Sequence, residues 1–128
     1  MKKILLTVSL LCATQMFAAA QVPVLKTQLA TATLWLFSPV MFACNLTNVD
    51  KETHHVQVRI ISNGKVLLES KVISLEPKHT TNYKVEGSPE GGPLYCEFMV
   101  EGKKEMYRGV AVLFNGPKGT DTVAVPAQ

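Results

Sequence analysis

Charge is missing from a long stretch of this chain. Between Thr27 and Val49 there is no Asp, Glu, Lys or Arg. The length would suit a membrane span. However, Thr27, Gln28, Thr31, Thr33, Ser38, Pro39, Asn45, Thr47 and Asn48 interrupt it, and Pro39 falls near its middle. We read two strands joined at Ser38-Pro39 and expect no membrane span in the mature chain. Helical periodicity is also nearly absent after the first twenty residues. There is no CxxC pair, HExxH, phosphate-binding glycine loop or nucleophile elbow, so the usual signatures of redox, metalloprotease, nucleotide and α/β-hydrolase chemistry are lacking. Cysteine is scarce, at three, and tryptophan occurs once.

What is present begins with MKKILLTVSLLCATQMFAAAQ. Lys2 and Lys3 form a basic start, Ile4 to Cys12 is a short apolar run, and Ala18, Ala19 and Ala20 supply the small residues that signal peptidase requires. The expectation is a secretory signal peptide over 1–20, cleaved before Gln21, followed by one domain over 21–128. Leu11 before Cys12 is too large for a lipid-anchoring site. Without Lys2 and Lys3, the thirteen basic residues become eleven against ten acids. The remaining lysines are scattered, which argues against nucleic acid as a partner. About one hundred residues suit a single core.

Alternation with a period of two recurs along the rest of the chain, as in half-buried strands. Phe42, Cys44 and Leu46 point one way and Ala43, Asn45 and Thr47 the other. Val56, Val58 and Ile60 point in, with Gln57 and Arg59 out. Asn63-Gly64 is a two-residue hairpin turn, and the strand after it alternates poorly, which predicts a bulge or a two-sided edge. Leu94, Cys96, Phe98 and Val100 oppose Tyr95, Glu97, Met99 and Glu101. Gly102 to Glu105 reads as a hairpin loop, with Met106 to Phe114 as the return strand beside it. That pairing sets Cys96 beside Gly109 or Ala111, and Glu97 or Met99 across from Arg108. Thr122 to Val125 reads as a short last strand. About seven strands with intervening turns predict an all-β fold, an antiparallel immunoglobulin-like sandwich.

Cys12 leaves with the signal, so Cys44 and Cys96 remain. Both sit on the apolar phase of their strands, and an even cysteine count in an exported chain predicts a Cys44–Cys96 disulfide; two free buried thiols are the alternative. The antibody signature is incomplete. Trp35 precedes the first cysteine, and Leu94 stands where a tyrosine corner would place Tyr.

Cys44 to Val49 (CNLTNV), Val56 to Ile61 (VxVxII), Ser74 to Pro77 (SLEP) and Cys96 to Lys103 (CEFMVEGK) resemble the pattern of small exported bacterial β-sandwich proteins of obscure role. The similarity runs from Leu34 to Phe114. It implies a disulfide-bridged immunoglobulin-like sandwich outside the cytoplasm, periplasmic or secreted, and brings no activity with it.

Chemistry-bearing candidates are few. His54 and His55, as neighbours in a strand, point to opposite faces and cannot share one ion. They read as solvated strand-end residues, so no metal or cofactor is expected. Asn45-Leu46-Thr47 fits a glycosylation sequon but lies in a strand. Glu97, Glu101 and Glu105 are interleaved with Lys103, Lys104 and Arg108 as a solvated surface. Tyr95, Met99, Met106, Val110 and Val112 around Arg108 give an apolar outer face, unless Leu34, Trp35 and Phe37 cover it. That face is the candidate partner surface. The expected role is a non-enzymatic module binding a protein or cell-surface partner. A carbohydrate-binding module is the alternative, and a small secreted enzyme a distant third.

Overall fold

The computed structural model describes residues 23–36, 41–86, 92–115 and 121–128. The signal segment, its cleavage point and the Ser38-Pro39 joint lie outside the described residues. The strands are β1 (Thr27–Ala30), β2 (Leu34–Leu36), β3 (Met41–Asn48), β4 (His54–Ser62), β5 (Lys65–Glu69), β6 (Ile73–Leu75), β7 (Thr80–Glu86), β8 (Gly92–Val100), β9 (Tyr107–Asn115) and β10 (Asp121–Pro126). Among the described residues no helix is long and apolar enough to cross a membrane. The charge-free stretch forms β1, β2 and β3.

The strands form two antiparallel sheets. In the larger, β8 lies between β4 and the successive pair β1 and β2, while β4 carries β5 and β6 on its far edge. The smaller runs β10-β9-β3-β7. The core lies between them. From β3 it takes Phe42, Cys44 and Leu46, from β4 Val56, Val58 and Ile60, and from β8 Leu94, Cys96, Phe98 and Val100. These are the residues whose alternation marks them in the sequence. A strand that buries every second side chain needs a partner sheet for that face.

Local signals act as the sequence predicts at the β4–β5 hairpin. Asn63 and Gly64 both have positive φ, at 49° and 73°, and Ser62 pairs with Lys65 across them. The register then slips. Ile61 pairs with Val66 and Ile60 with Leu68, which leaves Leu67 as a bulge.

The disulfide between Cys44 and Cys96 joins β3 of one sheet to β8 of the other, with Cα atoms 5.7 Å apart. Thr31 stitches the same place. Its N–H donates to the Cys96 carbonyl, and its hydroxyl accepts from the Cys96 N–H, both at 3.0 Å. Residues 126–128 close one side of the pair of sheets. Ala127 N–H donates to the Gly109 carbonyl at 2.8 Å, and Gln128 exchanges two backbone bonds with Ala30.

The expected β8–β9 hairpin does not form. β8 pairs with β4, β1 and β2, whereas β9 pairs with β3 and β10. Gly102, at φ +84°, starts a crossover with one 3-10 turn over Lys104–Met106. Both edges of β8 are occupied, so the chain leaves that sheet. Ala111 therefore stands beside Cys44, not Cys96. Phe98 and Gly109 meet across the core: a Cβ at Gly109 would lie 2.8 Å from the Phe98 ring and 2.9 Å from Ala127.

Two stability measurements follow from this packing. Replacing both cysteines with alanine removes a cross-link between residues 52 apart and should lower unfolding free energy by about 4 kcal/mol, read from urea midpoints. Gly109→Ala should cost about 1–3 kcal/mol by overpacking against Phe98 and Ala127. An unchanged midpoint would contradict the close approach.

Candidate functional site

The crossover divides the six residues of the candidate partner surface. Tyr95 and Met99 lie on the outer face of the larger sheet. Arg108, Val110 and Val112 lie on the outer face of the smaller one, on the opposite side of the molecule. Met106 sits in the 3-10 turn and packs its side chain against the core. They are not one surface. Local alternation gives the face of each residue correctly but does not say which sheet a strand joins.

Tyr95 instead belongs to a different apolar group. On the outer face of the larger sheet Tyr95 pairs with Ile61, and Ile61 with Val66. Pro93, two residues before Tyr95, pairs with Trp35. Trp35 is 62% exposed and Val66 50%, while Ile61 is buried at 6%. Of the residues expected to cover the partner surface, Leu34 packs against the core and Trp35 extends this face; Phe37 lies outside the described residues. Signals for Ile61 and Val66 were present in the sequence. The doubled Ile60-Ile61 breaks the alternation of β4 with an apolar outward residue, and β5 follows out of phase.

The neighbouring row on the same face is ionic. Arg59 bonds Glu69 at 3.0 Å and Glu97 at 3.1 Å. Gln28 donates to Glu97 at 2.7 Å and Gln57 to Glu69 at 2.9 Å. Glu97 thus pairs with Arg59 rather than Arg108. The face has a charged, internally satisfied centre and an apolar, aromatic end near the Asn63-Gly64 turn.

A second constellation lies at the other end of the sheets. His54 is buried, not solvated as the sequence predicts. Its Nε2 meets Asp50 Oδ2 at 2.6 Å, and its ring lies 5.9 Å from that of Tyr107. His55 points to the other face, where Nδ1 and the backbone N–H both reach Glu101 Oε2, at 3.1 and 2.9 Å. The Tyr107 hydroxyl donates to the Glu101 carbonyl. Fully buried Asn48 donates to the Leu75 carbonyl at 2.9 Å and the Glu52 carbonyl at 2.7 Å, and accepts from the Asp50 N–H at 2.9 Å. Burial, with Glu101 and Asp50 nearby, pushes the Tyr107 hydroxyl up to about 12. The His54 hydrogen bond lowers Asp50, and the His55 backbone and side-chain bonds lower Glu101. Among the described residues no buried side-chain nitrogen or oxygen lacks a partner, and no three His, Cys, Asp or Glu residues form a group able to hold a metal. These side chains bind one another and fasten the loops at this end.

No protein-family model, curated protein or solved structure matches the chain.

The lowered carboxyls set a pH dependence. Folding favours their ionised forms, so their stabilisation is complete above the ordinary carboxylate range of about pH 4 and is lost as pH falls through the lower folded values. Glu101→Gln and Asp50→Asn should each flatten the acid limb of a stability-versus-pH curve followed by Trp35 fluorescence. An unchanged acid limb in both would remove these two carboxyls as its cause.

Proposed function

We propose that the protein is an exported, non-enzymatic interaction module, an immunoglobulin-like β-sandwich that engages a protein or cell-surface partner through the Trp35–Tyr95 end of its larger sheet. The observation behind this reading is an apolar group, exposed at Trp35 and Val66, half-buried at Pro93 and Tyr95 and buried at Ile61, beside a charged row that is already paired. Outward residues of an antiparallel sheet are ordinarily polar. Aromatic anchors with a polar surround are the composition of recognition surfaces. A disulfide in so small a chain supports residence in an oxidising compartment, periplasmic or extracellular. The β3–β7 and β4–β8 pairings fit an immunoglobulin-like order; β9 against β3 departs from it.

Trp35 at 62% exposure also favours the carbohydrate-binding alternative, since an exposed aromatic can stack on a sugar face. The aliphatic neighbours Ile61 and Val66 weigh toward a protein surface.

Trp35→Ala and Tyr95→Ala separate these readings from a merely structural role. Each should weaken retention of envelope material on the immobilised protein about tenfold or more, the scale of an aromatic hot spot, while the urea midpoint stays within about 1 kcal/mol. Retention equal to the parent in both variants would refute the surface. Saturable quenching of Trp35 by a glycan panel would transfer the site to the carbohydrate reading.

A further inference from the structure

The protein has two arginines in very different settings. Arg59 is neutralised by Glu69 and Glu97. Arg108 is exposed, and its Nη1 donates to the carbonyls of Tyr107 at 2.8 Å and Glu105 at 3.2 Å. Those bonds fix the guanidinium without cancelling its charge. Among the described residues neither Arg108 nor Lys104 takes part in an ion pair.

Both cations stand at the rim of a hollow of about 400 Å3 beside the crossing of residues 126–128. Its remaining surface is mainly apolar and includes Leu29, Val110, Pro126 and Ala127. Glu105 also lines it, so the three charged side chains of the lining sum to one positive. The volume lies within the range of small-molecule sites, roughly 300–1,000 Å3. A smaller hollow of about 320 Å3 lies nearby and shares Pro126 and Gln128, but has no cation in its lining. The larger one therefore combines a mainly apolar surface with a guanidinium held by two carbonyls and in no ion pair among the described residues.

We propose that this hollow is a binding site for a small amphipathic anion, an alkyl carboxylate in its simplest form. Arg108 takes the carboxylate, Lys104 adds charge, and the alkyl chain lies over Leu29, Val110 and Ala127. A guanidinium held by two carbonyls loses little freedom on binding, and its remaining N–H groups match a carboxylate. Apolar contact supplies the rest of the affinity. Trp35 is not among the residues lining the hollow, and the site does not depend on the Trp35 surface being functional.

The test titrates the folded, oxidised protein with octanoate, 1-octanol and acetate below micelle-forming concentrations, following backbone amide NMR shifts. Octanoate should perturb Leu29, Val110 and Ala127; it should bind about tenfold or more tightly than octanol, the scale of a charged hydrogen bond, and about tenfold or more tightly than acetate through its alkyl chain. Arg108→Gln should abolish the preference for octanoate over octanol, and Arg108→Lys should restore part of it. Lys104→Gln, at an exposed position, should weaken octanoate about two- to fivefold and keeps the test available if Arg108→Gln fails to fold. Equal affinity for octanoate and octanol would overturn the proposal. So would shifts centred on Trp35, or a preference that survives Arg108→Gln.

Discussion

One covalent bond sets what can stand around it. Cys44 and Cys96 hold the centres of the two sheets 5.7 Å apart at Cα, closer than two large core side chains would permit. Large neighbours, Tyr83 beside Cys44 and Ile60 beside Cys96, stand on one flank of the bridge, and the other flank is small or polar. Ala111 lies beside Cys44, Thr31 bonds both backbone groups of Cys96, and Ala43 is fully buried beside the bridge. Two residues from Ala111, Gly109 leaves room for the Phe98 ring. The Gly109-x-Ala111 pattern of β9 is the complement of this bridge, and its placement beside β3 is what lets the sheets close over it.

The edges of the sheets are managed by different means. Residues 126–128 bond to both Ala30 and Gly109 and so cover one side. On the other side, β5 is an edge strand with Val66 and Leu67 exposed, the kind of strand that recruits another chain. Its bulge counters that. Val66 pairs with outward Ile61 and Leu68 with inward Ile60, so the facing phase changes within three residues. A regular strand docking there could match one half of β5 or the other, not both. The exposed apolar residues of β5 thus serve the outer face through Val66 better than they serve edge pairing.

Alternation made the inward residues of β3, β4 and β8 legible, because burying one face of a strand imposes a period of two on the sequence. The Asn63-Gly64 turn was legible because its backbone conformation demands those residue types. The disulfide was legible because both cysteines fall on the buried phase. The partner of β9 was not. A short loop between two alternating strands fits a hairpin as well as a crossover, and the small residues of β9 would fit beside either cysteine. What decides is the occupancy of both β8 edges by β4 and by the uncharged strands β1 and β2, a condition that no local pattern records. The split of the six surface residues follows from that single ambiguity.

His54 shows the same limit on a smaller scale. A histidine at a strand start reads as solvated until Asp50, four residues earlier, turns back to meet it and Tyr107 arrives from the crossover. The result is a group rich in titratable side chains in which each has a partner already: Asp50 for His54, Glu101 for His55, the Glu101 carbonyl for Tyr107. Each histidine spends one ring nitrogen on its carboxylate, and these contacts fasten the loops at this end. At this end of the molecule the pairings are made. Elsewhere stand the exposed indole of Trp35 on one sheet and, on the other, the guanidinium of Arg108, which has no ion-pair partner among the described residues. That division, with paired side chains at the His54 end and exposed features on the faces, is what the two proposed binding surfaces rest on.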